Sequence, residues 1–507
     1  EDLIKQWDQL SDLEKKLFIK QADVFAAYVA YTDHEIGRVI QTVEDLGRLE
    51  NTLIIYITGD NGTSSEGGET GTPNEVASVQ SIHLPVEAQM QFYDVWGSDK
   101  TYPHMSVGWT WAFGTPFSWT KMVSSHFGGT KQGTAISWPN VIKDRGGIRN
   151  QFHHVVDIAP TILEATGIPL PEVVDGIEQT PMEGVSMVYT FGKANADAPS
   201  THTTQYFEMI GDRAIYHDGW ILSTKVMRVP WDNSGTADND PASWPWELYD
   251  LSKDWTQFND VSAQYPEKVK ELEAMFWEEA ERNQVLPMDT TTFTRSLQPR
   301  PNLTAGRTVF TYSGEITGTP NSNSPNVLAT SYNISSEVEI PEGGAEGMLV
   351  THGGRFAGYG FYVLDGKPVY TWNLAGLKLV KWEGQDSLAP GKHTLEFDFE
   401  YDGMGAATLQ YGSPSGLGQS GTGTLKVDGD VVATKKMEKT VPMLLQWCES
   451  FDVGADTGSP VADDDYQPPF RFTGTLEKLT LTIDRPELSP DDIKKLQAAM
   501  HANPAAE

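Results

Sequence analysis

An α/β core followed by an all-β region is the fold class that this sequence predicts, and three observations predict it. A long helical pattern runs directly into a short β-branched strand near the start of the chain. Short strand signals and one further helix occupy the middle. Up to about Asp484, the remainder alternates strands with Asp-Gly hairpin turns.

The first helix is expected over residues 11–46. Ser11 and Glu14 have the spacing of a capping box. Phe25, Val29, Thr32, Ile36, Val39, Val43 and Leu46 recur at helical intervals, and Gly47 is a C-terminal stop. Residues 53–57 then read as a central parallel strand, buried on both faces because the run is continuously apolar and β-branched. It ends abruptly in an oxygen-rich turn, Asp60-Asn61-Gly62. Open α/β sheets bind ligands just beyond such strand ends, and a carboxylate beside a carboxamide suits a hard cation, Ca²⁺ or Mg²⁺. Taken alone, the same tripeptide is simply a turn.

Residues 63–118 are rich in Gly, Pro, Ser and Trp without periodicity, as expected of a lid or substrate wall. Residues 135–138 form a second strand. Residues 158–166 form a helix with Asp157 as its cap, Pro160 in its first turn and Gly167 closing it. Short strands at 214–216, 220–224 and 247–250 precede a helix from Pro266, with Val269, Leu272, Phe276 and Ala280 on one face. Residues 298–304, with Pro299 and Pro301, are the expected linker. The turns Asp365-Gly366 and Asp428-Gly429 then organise a β-sandwich, and from Glu487 onward the chain reads as an exposed helix and tail. The expected units are 1–203, 204–297, 298–486 and 487–507; a chain of 507 residues is long enough for about three domains.

Lys and Arg number 37 against 70 Asp and Glu, a net charge of −33. That argues against nucleic acid as a partner, since phosphate binding needs a basic surface. It also repels anionic polymers at long range, unless salt screens the field or positive groups are concentrated locally. No apolar run of about eighteen residues could span a bilayer, so no transmembrane segment is expected. The single cysteine, Cys448, excludes internal disulfides.

Two segments, FSWTKMVSSHFGGTKQGTAISWPN (117–140) and IRNQFHHVVDIAPTILEATGI (148–168), resemble the second half of the arylsulfatase family, and the likeness extends from Trp7 to about Ile483. The resemblance implies an alkaline-phosphatase-like α/β core, partial here, a small antiparallel sheet with a helix after it, and a C-terminal β-sandwich. It implies metal-dependent hydrolysis of sulfate monoesters, with Asp60 and Asn61 ligating Ca²⁺ (or Mg²⁺) and Lys121 binding the sulfate. The substrate would be an aryl sulfate or a sulfated carbohydrate, and the setting periplasmic or secreted. The family's nucleophile is a formylglycine made from the cysteine of a C-x-P-x-R motif, and no such motif occurs here; Cys448 stands in WCESFD. With no charged and apolar leader at Glu1, the chain is expected to be a C-terminal portion whose partner is the missing N-terminal sulfatase segment. A phosphoester or phosphonate hydrolase of the same superfamily, and a catalytically incomplete binding or scaffold chain, are the alternatives.

Read from the residues alone, Lys121 in its apolar-aromatic setting either snorkels to the surface or faces an anion. His126 and His104 are candidates for substrate contact or for the leaving-group acid, with a packed structural histidine as the plainer reading of each. His153 and His154, being adjacent, do not face one another and suit capping and packing better than a shared metal. Gly128-Gly129 permits a close backbone approach or a turn, and Lys131 adds positive potential or is a solvated lysine. In the β region, Tyr370, Trp372 and Trp382 with the run Asp463-Asp464-Asp465 admit carbohydrate stacking, against the reading of core aromatics and a solvated acidic loop. The glycine-rich residues 412–423 read as a flexible connection.

Overall fold

The computed structural model describes residues 4–59, 61–80, 82–231, 240–290, 303–403, 418–441, 444–484 and 491. The expected linker, apart from its last two residues, and the C-terminal helix and tail, apart from Asp491, lie outside the described residues, as do Asp60 and the first half of the glycine-rich connection, whose last three residues are the start of a strand rather than a flexible link.

The chain opens with α1 (Asp12–Asp45), begun by the expected capping box. The Ser11 hydroxyl accepts from the Glu14 N–H at 3.2 Å, and the Glu14 carboxylate accepts from the Ser11 N–H at 2.7 Å. Gly47 ends it at φ +64, a conformation a side chain would resist. Only its first turns are covered: Leu17 and Phe18 pack on Val86 and Trp96, while Val39 and Leu46 of the apolar stripe are 66% and 70% exposed.

The strand β1 (Ile54–Thr58) follows. Short helices α2 (Glu75–Val79), α3 (Val86–Gln89), α4 (Val107–Gly114) and α5 (Phe127–Thr130) lead to β2 (Gly133–Ser137). Here the structure corrects the sequence reading. β1 pairs antiparallel with β2, Ile54 opposite Ser137, in a two-stranded sheet, and its residues are half-buried rather than enclosed on both faces. A β-branched run reports a pleated, partly covered surface but carries no strand direction, and no second layer covers this pair among the described residues. α6 (Ile158–Thr166) has the expected bounds and ends at Gly167 with φ +68, before the small hairpin β3 (Val173–Val174) and β4 (Ile177–Glu178). Asp157 is not its side-chain cap; the carboxylate has other partners, described below.

The middle unit is a four-stranded antiparallel meander, β5 (Thr204–Met209), β6 (Asp212–His217), β7 (Trp220–Thr224) and β8 (Trp246–Asp250). Helix α7 (Pro266–Arg282) lays all four residues expected on one face against Ile215, Leu222 and Leu248, with Leu272, Phe276 and Ala280 buried and Val269 partly buried.

The C-terminal unit comprises β9 (Val309–Tyr312), β10 (Ile316–Thr319), β11 (Tyr332–Ile340), β12 (Gly347–Gly354), β13 (Ala357–Leu364), β14 (Lys367–Leu374), β15 (Lys378–Glu383), β16 (Gly391–Tyr401), β17 (Gly421–Val427), β18 (Asp430–Met437), β19 (Phe451–Val453) and β20 (Thr475–Ile483). Two six-stranded sheets, ordered β10-β19-β12-β13-β14-β15 and β18-β17-β16-β11-β20-β9, face one another as a sandwich. Both Asp-Gly turns sit where expected, with positive φ at both central residues (51 and 76; 52 and 88), as a two-residue hairpin matched to strand twist requires. Tyr370, Trp372 and Trp382 are core residues at 0–2% exposure, so they offer no stacking face. The acidic run is in part pinned: Asp463 accepts from Arg355, and Asp465 from Lys381 and Tyr362.

The aperiodic segment after β1 is packed rather than free. Asn74 is buried and donates to the carbonyl of Ala375 at 2.6 Å, while Tyr102 stacks on Phe356, so this segment bridges the core and the sandwich.

Candidate active site

Lys121 is brought to the turn that ends β1. Its N–H donates to the Thr63 carbonyl at 3.1 Å. Just beside this bond, Gly62 (φ +84) lies so close to the Gly128-Gly129 backbone that a Cβ would come within 2.1 Å of the Gly128 carbonyl oxygen. A Cβ on Gly128 would in turn meet the Trp119 carbonyl at 2.1 Å. The glycines therefore join two segments that are sixty-odd residues apart. Thr120 Oγ1 to Ser65 Oγ, at 3.4 Å, adds a weaker tie.

The loop carrying Lys121 is strained on both sides. Trp119 and Met122 have φ of 68 and 77, each disfavoured for a side chain by roughly 1–3 kcal/mol. The surroundings hold this geometry: the Gly128 N–H donates to the Ser118 carbonyl, and Arg228 donates to the Met122 carbonyl at 2.8 Å. Arg228 is itself paired at 3.1 Å with buried Asp212, whose carboxyl burial pushes up to about 7 against the pull of Arg228.

The Lys121 ammonium is not free. It donates to both oxygens of Glu66, at 2.9 and 3.1 Å, with both side chains partly buried. Burial would raise the Glu66 carboxyl, but hydrogen bonds from Ser64 and Lys121 outweigh it and hold the group below the ordinary carboxylate range. Nearby Glu75 goes the other way: burial, then the charge of Glu66, pushes it up to about 7. His104 belongs to the same cluster; burial lowers its pKa, and its Nδ1 lies 3.1 Å from the Met105 carbonyl. Neither acid was foreseen. The only signal is weak: Glu66 stands four residues and Glu75 thirteen residues beyond the strand-end turn, in a segment without periodicity.

Asn61 is half-buried at the same turn, while Asp60 lies outside the described residues. Together they offer one carboxylate and one carboxamide, a donor pair that suits part of a hard-cation shell. Among the described residues, no group of three or more His, Cys, Asp and Glu stands together to hold a metal ion.

His126 is 3% exposed. Its Nδ1 lies 2.9 Å from Ser125 Oγ, its Nε2 lies 3.6 Å from Glu247, and the ring meets Trp119 and Tyr249 edge-on. These are the contacts of a packed, hydrogen-bonded histidine. Exposed Lys131 stands over the rings of Phe117, Phe127 and Trp255 at 4.9–5.4 Å. The adjacent histidines take capping and packing roles: His154 accepts from the Val156 N–H, and His153 bridges Asp157 and Tyr189. Asp157 is fully buried and gathers His153, His202 and two backbone N–H groups, which hold its carboxyl far below the usual range despite burial. His202, on the other side of Asp157, is raised by the same bond. That hub depends on a partner 45 residues away, which no local pattern reveals.

Residues 5–168 match the family model described as Sulfatase. Over 275 residues the chain is 29% identical to an uncharacterized sulfatase of Schizosaccharomyces pombe, covering 53% of this chain and 45% of that protein. Over 215 residues it is 27% identical to an arylsulfatase of Klebsiella aerogenes, covering 41% and 42%. An N-acetylglucosamine-6-O-sulfatase of Bacteroides thetaiotaomicron is 23% identical over 250 residues, covering 49% and 33%. The chain thus spans less than half the length of each of these relatives.

Proposed function

We propose, from the membership of residues 5–168 in the sulfatase family, that this chain is the C-terminal portion of a metal-dependent sulfuric ester hydrolase of arylsulfatase type. The reaction is hydrolysis of a sulfate monoester, an aryl sulfate or a sulfated carbohydrate, with release of inorganic sulfate. Lys121 binds the sulfate, because a compact ammonium on a long stem can meet a tetrahedral anion from one side. Asp60 and Asn61 would hold Ca²⁺, or Mg²⁺, which when bound supplies charge neutralisation at the sulfate oxygens. A formylglycine nucleophile would have to come from outside this sequence, in which no C-x-P-x-R occurs.

The chain's own groups prepare the anion site. Glu66 fixes the Lys121 ammonium by two hydrogen bonds until sulfate shares or displaces it. Below about pH 7, Glu75 is protonated, so the two acids together bring one negative charge rather than two to the incoming anion. His126, linked to Ser125 and Glu247, would have to leave Glu247 to contact substrate; in place, it anchors the glycine turn beside Lys121.

The observation that carries this reading is the junction between Thr63 and Lys121, closed by Gly62 against Gly128. It supports a single site built from the strand-end turn and the lysine loop. In the native protein, Asp60→Ala should abolish both bound metal and sulfate release from an aryl sulfate, whereas Lys131→Ala should retain both. Wild-type turnover by Asp60→Ala would contradict the assignment. Native protein that never releases sulfate would favour the catalytically incomplete binding or scaffold alternative.

A further inference from the structure

The two sheets of the sandwich end side by side at one seam, where β15 closes one sheet and β18 the other. Lys435 Nζ crosses the seam to the Lys381 carbonyl at 2.6 Å, and Trp382 Nε1 returns to the Lys435 carbonyl at 3.2 Å. Beside these ties lies a groove of about 380 Å³, the size of a small-ligand site. Buried Val380 and Met437 form its base, and Lys378, Lys435, Lys436 and Lys439 line it. Its lining contains one acid, Glu438.

Four lysines around one apolar-based groove stand out in a chain of net charge −33. Lys436 is paired with Asp402 at 3.0 Å. Lys435 donates to a neutral carbonyl and has no ion pair among the described residues. Lys378 and Lys439 have no ion pair among the described residues. The groove therefore gathers positive charge on a chain whose overall balance is strongly acidic. Lysine stems and exposed Leu379 supply apolar contact for the faces of sugar rings.

We propose that this groove binds a sulfated glycan, with Lys378 and Lys439 as its principal sulfate contacts; the sulfated character of the ligand rests on the sulfatase reading. Charge complementarity selects the occupant: the groove gathers the cations that an acidic chain needs to hold an anionic polymer near its hydrolytic site. Edge lysines also keep strands from pairing with foreign chains, but that role requires no convergence of charges on one groove and predicts no glycan binding.

The test uses the full chain and three polymer probes: dextran sulfate, unsulfated dextran and inorganic polyphosphate. Binding to dextran sulfate at 0.1 M salt is expected, with none to dextran and weaker binding to polyphosphate. The double substitution Lys378→Glu/Lys439→Glu should weaken dextran sulfate binding by about tenfold or more and flatten its dependence on salt. Lys392→Glu/Lys478→Glu, on β16 and β20 outside the groove, should change it by less than about twofold by removing only screened surface charges. Thermal unfolding reports whether the variants fold, and charge-neutral Lys378→Gln/Lys439→Gln provides a second, milder pair expected to show a smaller loss. No binding by the wild-type chain, equal losses in the two Glu pairs, or polyphosphate binding as tight as dextran sulfate would overturn the proposal. Lys121→Ala should leave polymer binding intact, so failure of the groove and failure of the hydrolytic reading are read separately.

Discussion

In the sandwich, β13 buries seven of its eight residues; in the N-terminal unit, α1 buries three of its 34. The difference is one of layers. Two six-stranded sheets enclose the inward face of each strand, and on β12, β13 and β14 the outward residues Met348, Tyr362 and Val369 are covered in turn by Ala462, Tyr466 and Phe470. The N-terminal unit offers a two-stranded sheet and a long helix, and an α/β arrangement closes its core only when helices cover both sheet faces. The candidate hydrolytic site belongs to the N-terminal unit, yet strained Trp119 and Met122 flank a loop whose Thr120, Val123 and Ser125 are buried and whose Phe127 packs on the middle sheet. The sandwich, by contrast, carries a groove at its seam and a core built almost wholly from its own strands, to which the N-terminal segment adds Val76 and Tyr102.

The sharpest test of that contrast is Phe397→Ala. Phe397 is fully buried and stacks on Tyr370 at 3.5 Å, so its loss should cost about 3–5 kcal/mol in the denaturant unfolding of the sandwich. A cost under about 1 kcal/mol would mean that the core is looser than its burial implies.

Next comes Glu75, which tests the N-terminal unit through pH. Its carboxyl is raised from 4.5 to about 7 in the folded chain. The folded state therefore binds this proton more tightly than the unfolded state, and the associated stability is full below about pH 4.5 and lost as pH rises through 7. Glu75→Gln mimics the protonated form. It should match wild type at pH 4 and exceed it by about 2–3 kcal/mol at pH 8; equal stability at both pH values would place Glu75 in an ordinary solvated setting.

The smallest effect belongs to Val39→Ala. At 66% exposure, Val39 should contribute within about 0.5 kcal/mol. A loss above about 1 kcal/mol in the native protein would show that something covers the α1 stripe, and the contrast between the two regions would then be one of partners rather than of architecture.

Much of this was legible in the sequence wherever the signal is local. Ser11 and Glu14 marked the start of α1, Gly47 and Gly167 marked helix ends, and the two Asp-Gly turns marked hairpins, because each is settled by backbone conformation within a few residues. What failed needed distant partners. The direction of β1 depends on which strand meets it, and β2 lies some seventy-five residues on. Asp157 looked like a cap because the local pattern allows one, yet His202 recruits it into a buried hub. Glu66 sits in a turn with no periodicity and acquires its meaning only when Lys121 folds back on it. Tyr370, Trp372 and Trp382 could not be divided between core and surface until the facing sheet was known.

The central claim is that the strand-end turn and the Lys121 loop form one sulfate site. Its most direct test is the steady-state kinetics of the native protein on an aryl sulfate. Lys121→Ala should lower kcat/KM by about two to three orders of magnitude, as expected for losing one preorganised charge-stabilising group, while leaving metal content and dextran sulfate binding unchanged. Unaltered kinetics in Lys121→Ala would remove the lysine from the site and contradict the account.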